Sequence, residues 1–152
     1  MKIALGADHG GYELKKRLED FLPGLGHEVV NMGVDGPAPA DYPDYAKKVA
    51  LAVAKGKASR GIVVCGSGVG ASVVANKIPG IRAGLCHDTY SARQCVEHDD
   101  VNVLCLGGRV VGPDLAFEIV KAWLASTFSK TQRHQRRLDK ILAIEKEFLS
   151  SP

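Results

Sequence analysis

Gly61-Ile62-Val63-Val64-Cys65-Gly66-Ser67-Gly68-Val69-Gly70 is the segment on which the reading of this chain turns. A β-branched apolar run ends on a cysteine, and glycines follow at alternate positions. Such a run is a buried strand that delivers a thiol to its carboxyl end. The glycines let the backbone turn tightly and enter a helix from about Val69, with N–H groups pointing into a shared concavity. Amides gathered in this way stabilise an anion, and a thiol at a helix entrance is expected to hold more of the reactive thiolate. A base or nucleophile beside an oxyanion cradle is the pairing this segment predicts.

Around it, apolar runs of strand length alternate with stretches of helical period. Lys2–Ala7 reads as a first strand. Leu14, Leu18, Phe21 and Leu22 mark one face of a helix that Pro23-Gly24 should stop. Residues 27–31 form a second strand, 36–43 a loop by composition, and Ala46, Val49, Ala50 and Val53 the next helical stripe. The helix after Cys65 ends before Pro79-Gly80, and 81–86 is a fourth strand. A helix from about 89 to 97 leads to a fifth strand at 101–106. Pro113 suits the first turn of a helix through Leu115, Ile119, Trp123 and Leu124. A final helix from about Thr131 has Leu138, Ile141, Leu142 and Phe148 on its apolar side. Five β/α units in a row predict an α/β fold: a single three-layer αβα Rossmann-like domain over 1–152, its five-stranded parallel sheet followed by a C-terminal helix at 131–150.

Composition narrows the function classes. A chain of 152 residues, 45% hydrophobic and 24% charged, has the make-up of a soluble globular domain with a real core. No apolar run approaches the roughly 20 residues that span a bilayer, and the start of the chain lacks a signal-peptide pattern. We therefore expect a cytoplasmic protein that binds no membrane. A net charge of +3 is too small to argue for nucleic acid. Cys65, Cys86, Cys95 and Cys105 contain no Cys-x-x-Cys pair, so reduced thiols and no metal site are expected.

Ligands of parallel sheets bind beyond the carboxyl ends of the strands. The groups there are Asp8-His9-Gly10-Gly11, the Cys65 loop, His87-Asp88 and Gly107-Gly108-Arg109. A cysteine-phosphatase loop would need arginine at the position of Ala71, and a Walker loop would need a lysine after Gly70; neither is present. A dinucleotide fingerprint is formally met by Gly66, Gly68 and Ala71, but it leaves the cysteine without a role. Asp8 reads either as a helix cap or as a ligand contact, and His98 either as a C-cap group or as a catalyst. His27, His87 and His134 gain no catalytic role from local sequence. Arg133 and Arg137 lie four apart, on one helical face from which both could close on one phosphate, whereas Arg136 is equally well a solvated charge.

Seven segments occur in order: Gly6-Ala-Asp8-His9-Gly-Gly, Asp41-Tyr42-Pro43, Cys65-Gly-Ser-Gly-Val-Gly70, Ala75-Asn76-Lys77, Gly80-Ile-Arg82, Gly107-Gly-Arg109-Val-Val-Gly and Arg133-His-Gln-Arg-Arg137. As a set spanning nearly the whole chain they resemble the type B ribose-5-phosphate isomerases and the related galactose-6-phosphate isomerase subunits. That resemblance implies reversible interconversion of ribose 5-phosphate and ribulose 5-phosphate through a cis-enediolate, without cofactor or metal. It implies Cys65 as the base, with Ser67 and the amides of Gly66, Gly68, Val69 and Gly70 as the anion hole. Asp8 and Tyr42 would contact sugar hydroxyls, His98 would open the furanose ring, and Asp99 would touch the sugar. His9, Arg109, Arg133 and Arg137 would hold the phosphate, some of them supplied by the partner of a homodimer or tetramer on which the last helix packs. One branch of that family carries a glutamate base where this chain has Ala71, which leaves Cys65 as the candidate. Some relatives have threonine in place of Ser67, and the hydroxyl survives. Two other readings stay open: isomerisation of a six-carbon phosphosugar such as allose or galactose 6-phosphate, and a regulatory module that binds a phosphosugar or dinucleotide without turnover.

Overall fold

The computed structural model describes residues 1–148. Positions 149–152, which include the last two of the expected 131–150 helix, lie outside the described residues. The strands are β1 (Lys2–Ala7), β2 (Glu28–Asn31), β3 (Arg60–Cys65), β4 (Ala83–Leu85) and β5 (Val103–Gly107). They alternate with α1 (Tyr12–Gly24), α2 (Tyr42–Ala54), α3 (Val69–Ala75), α4 (Thr89–Asp99) and α5 (Pro113–Ala125), and α6 (Gln132–Phe148) closes the chain. All strand pairs are parallel, in the order β2-β1-β3-β5-β4. No helix of the described residues is long and apolar enough to cross a membrane.

Strand parity sorts the core into two layers, because successive side chains leave a strand on opposite faces. Ile3, Leu5, Ile62, Val64, Leu104 and Leu106 meet α1, α4 and α5 on one face. Ala4, Val63, Cys65, Val103 and Cys105 meet α2 and α3 on the other. The large side chains of Leu18, Leu22, Ile119 and Trp123 are fully buried, each contributing about 1.5–3 kcal/mol of apolar transfer. Arg60 ties the layers at the amino end of β3: it stacks on the Trp123 ring and donates to the carbonyls of Trp123 (2.6 Å) and Ser126 (2.8 Å) at the end of α5.

The elements expected from sequence are all present, with shifted edges. Pro23 sits inside the last turn of α1, which runs on to Gly24. A proline there forfeits one bond near a terminus that was about to fray, so it does not stop the helix earlier. β4 begins at Ala83 rather than 81, because the Arg82 amide donates to the Asn102 side chain (2.9 Å) instead of joining a ladder. β5 begins at Val103 because Asp100 takes a left-handed conformation (φ 51°) and Val101 N–H still bonds back to Cys95 in α4. α6 begins one residue later than expected, and Thr131 accepts from the Gln135 amide as the residue before it.

Register decides what reaches the top of the sheet. Ala7 pairs with Val64, and Cys65 with Gly107, so the chain leaves β1, β3 and β5 side by side. The order reverses between β1 and β3: β2 lies beyond the one, and β5 and β4 beyond the other. A crevice opens at such a reversal.

Candidate active site

That crevice is a cavity of about 360 Å³, lined by Asp8, Tyr42, Cys65, Gly66, Ser67, Gly70, Arg109 and Val110. Its volume is at the small end of the range of about 300–1,000 Å³ typical of ligand pockets. β3 carries Cys65 to its floor, 4% exposed, with Sγ accepting the Gly68 amide (3.1 Å). An N–H aimed at sulfur solvates negative charge there. Ser67 Oγ accepts from the Val69 amide (3.2 Å), so the hydroxyl is held inside the turn. The first bond within α3 runs from Ser72 N–H to Gly68 O (3.1 Å), so the Gly70 amide has no acceptor in the helix.

Two glycines make the turn possible. Gly68 has φ +81°, and a Cβ there would lie 2.9 Å from the carbonyl carbon of Leu106. A Cβ on Gly70 would lie 2.6 Å from the Tyr42 ring, which roofs the turn from the start of α2. The same ring stands over the first turn of α3, where a dinucleotide would need to set its pyrophosphate. The Gly66-Gly68-Ala71 match therefore lacks the open, long helix that gives the fingerprint its meaning, since α3 has only seven residues.

Asp8 follows β1 directly and is 8% exposed. Its Oδ1 accepts from Gly11 N–H (3.0 Å), an interaction that closes the loop rather than capping α1, whose N-cap is Gly11 itself. Arg109 is delivered by the turn after β5, where its amide donates to Gly66 O (3.0 Å) and Gly108 N–H to Cys65 O (2.8 Å). Its guanidinium packs over Gly66. His9 is exposed, and its Nδ1 lies 3.1 Å from both the amide nitrogen and the carbonyl oxygen of Ala40, so it braces the loop before Tyr42. That loop has a second anchor in Lys15, which is buried in α1. Its ammonium donates to Val34 O (3.1 Å) and faces Glu19 (3.7 Å) and Asp35 (3.9 Å).

The structure does not bring the other sequence-derived site residues into this cavity. α4 returns against the strand direction and is about 16 Å long, so its last turn, with His98 and Asp99, comes down near the amino ends of the sheet. Asp99 faces a separate cavity of about 450 Å³ between α4 and α6. Arg133 and Arg137 are exposed on α6, which packs on α4 rather than over Cys65. Asp8, Tyr42, Cys65, Gly66, Ser67, Gly70 and Arg109 thus form one group, and His98, Asp99, Arg133 and Arg137 another.

The second group contains residues that local sequence did not single out. His134 is buried between the two arginines and stacks on the His98 ring (centroids 3.9 Å apart), with Nδ1 2.6 Å from Ser129 Oγ. His98 Nδ1 lies 3.1 Å from the Gln94 side-chain nitrogen one turn earlier. Val110, which lines the first cavity, was within reach of sequence reading as the neighbour of Arg109. Burial pushes His134 below its ordinary value, His98, Arg133 and Arg137 add to the effect, and Asp99 opposes it. The unfolded chain then takes up a proton that the folded chain resists. Stability should be complete above about pH 6.5 and decline as the pH falls below it. Thermal melts at about pH 7.5 and 5.5 should show a larger drop for the natural protein than for His134→Phe, which keeps the stacking and loses the titration.

A family profile described as Ribose/Galactose Isomerase matches residues 3–141. The chain is 49% identical over 144 residues to ribose-5-phosphate isomerase B of Escherichia coli K12, covering 95% of this chain and 96% of that one. It is 45% identical over 130 residues to the D-erythrulose-4-phosphate isomerase of Pectobacterium atrosepticum, covering 84% and 85%. Among solved structures, ribose-5-phosphate isomerase B of Clostridium thermocellum superposes with a TM-score of 0.95 at 52% identity, over 97% of this chain and 99% of that one.

Proposed function

Because this chain belongs to the ribose/galactose isomerase family, we propose that it interconverts ribose 5-phosphate and ribulose 5-phosphate, with Cys65 as the base that moves the proton. The observation that carries the reading is one cavity in which the Cys65 sulfur, an amide donor on it, a carboxylate and an arginine converge. The name of the Escherichia coli relative supports the five-carbon substrate, while the Pectobacterium relative is a warning that neighbours in this family act on other phosphosugars.

The chemistry follows from what each group is able to do. Aldose–ketose isomerisation removes the proton on the carbon beside a carbonyl and returns it to the former carbonyl carbon. One base on one face of a cis-enediolate performs both transfers, and the Cys65 sulfur at the cavity floor is placed for it. The intermediate's oxygen becomes anionic, and the Gly70 amide with its neighbours in the turn supplies fixed donors for that charge; removing one such donor typically costs about 3–4 kcal/mol. Asp8 keeps one carboxylate oxygen free of the Gly11 bond for sugar hydroxyls, and Tyr42 bounds the pocket above. Arg109 offers planar donors to the distant phosphate, so binding energy there holds the reacting carbons against sulfur.

In our reading the second group completes the site from another subunit of a homodimer or larger oligomer. His98 would open the sugar ring, Asp99 would contact the sugar, and Arg133 and Arg137 would clamp the phosphate together with His9. What supports this is the separation of the two groups within one chain, since each lacks what the other offers. A cytoplasmic setting in pentose phosphate metabolism fits a phosphorylated, membrane-impermeant substrate.

The experiment is a parallel activity screen of ribose 5-phosphate, allose 6-phosphate, galactose 6-phosphate and erythrulose 4-phosphate. The highest kcat/KM is expected with ribose 5-phosphate; a higher value for any other sugar would reassign the substrate, and no turnover of any would leave a binding module.

A further inference from the structure

Away from the Cys65 cavity, the chain holds two thiols in near contact. Cys86 Sγ and Cys95 Sγ lie 4.0 Å apart, within hydrogen-bonding distance for sulfur. Cys86 ends the β4 segment, its amide bonded to Cys105 O (3.3 Å), and it is 2% exposed. Cys95 sits in the middle of α4, half-buried, with its S–H directed at Ala92 O (3.3 Å). It also lines the 450 Å³ cavity, beside Arg82 and Asp99. One thiol is therefore sealed, and the other opens onto space large enough for a small oxidant. All four cysteines are free thiols.

We propose that Cys86 and Cys95 form a peroxide-responsive pair: a small hydroperoxide oxidises Cys95, and Cys86 resolves it as an intrachain disulfide. In the first step the Cys95 thiolate attacks one peroxide oxygen, an S–O bond forms, the O–O bond breaks, and the departing hydroxide leaves as water after taking a proton. In the second, the Cys86 sulfur attacks the Cys95 sulfenic sulfur, the S–S bond forms, the S–O bond breaks, and a second water leaves. Two thiols are oxidised and one peroxide is reduced to two waters.

The environment favours that division of labour. The hydrogen bond from Cys86 pushes the Cys95 thiol down, with the Val96 amide and Arg60 adding to it and burial and Asp99 opposing it, whereas that bond and burial push Cys86 up. Cys95 is thus the thiol that more readily reaches the nucleophilic form, and it is also the one with access. Closing the pair requires the sulfurs to approach from 4.0 Å to about 2.05 Å, by rotation of short side chains that already face each other. The bond would tether the middle of α4 to the end of β4, one turn before His98 and Asp99. Slower amide exchange in α4 is the expected consequence.

Cys65 is itself open to oxidation, so the test uses the Cys65→Ser variant of the full chain, treated with one equivalent of hydrogen peroxide. The expected product is about 2 Da lighter, as for loss of two hydrogens, and returns to the starting mass with dithiothreitol. Trypsin cuts after Arg82, Arg93 and Arg109, which separates Cys86 from Cys95. A crosslinked pair of peptides is expected, with fragmentation placing the bond on Cys95 rather than Cys105. Adding Cys95→Ser should abolish the crosslink, and Cys86→Ser should leave Cys95 oxidised to the sulfenic acid without a crosslink. Sulfinic acid at Cys95 with Cys86 still reduced, a bond between other cysteines, or no oxidation at either thiol would overturn the proposal.

Discussion

Replacing Cys65 by alanine should lower kcat for ribose 5-phosphate by about 10²–10⁴-fold while changing KM little. The sulfur sits at the cavity floor, on the lining of the pocket, and is directly opposed to an amide donor. Asp8, the other base in the cavity, already has one oxygen committed to Gly11 and lies on the neighbouring strand's loop. Cys65→Ser should be nearly as impaired, because a serine hydroxyl of similar size does not ionise near neutrality. The decisive readout is solvent-deuterium exchange into ribulose 5-phosphate, which is acyclic and needs no ring opening. Exchange should vanish in Cys65→Ala and persist in His98→Ala. Exchange at the natural rate in Cys65→Ala would remove the sulfur from the mechanism.

The second large effect concerns assembly. Cys65→Ala and Arg137→Ala should each be nearly inactive as pure proteins, the first through proton transfer and the second through loss of the phosphate clamp. If sites are shared between two copies, a hetero-oligomer holding one chain of each has one site carrying both lesions and one carrying neither. Purified through two different affinity tags, it should regain about half the activity of the natural dimer. Activity no higher than that of the parents would place Arg137 in the same site as its own chain's Cys65, or outside the site altogether. The geometry motivates the experiment: α6 lies on α4, away from the cavity that holds Cys65.

How far the sequence led can be seen residue by residue. Cys65 and its glycine turn were legible because everything that shapes them is local: a β-branched strand, a positive φ at Gly68 and a helix entrance within four residues. The strand order was not spelled out by the β/α alternation, since β5 inserts between β3 and β4 through contacts that no local pattern encodes. The resemblance supplied Arg109, His98 and the terminal arginines as members of a set, but their distribution over two ends of the sheet depends on the direction in which α4 returns. His134 was unreadable for a related reason. It is buried only because α6 folds back onto an element about 36 residues earlier, where a ring of His98 waits for it. Lys15 shows the same limit: a lysine on a helix reads as solvated until a loop wraps over its end.

The two anchors on the chain between β2 and α2 have a consequence for how the pocket can diversify. Lys15 holds Val34 and His9 holds Ala40, which leaves Gly36 to Pro39 as an arch fixed at both feet. Doubling the length of such an arch costs only about 0.6 kcal/mol of closure entropy. Residues inserted there would leave the sulfur, its amide donor and both tethers where they are, so descendants of this scaffold are free to lengthen the chain ahead of Tyr42 without disturbing the turn that holds Cys65.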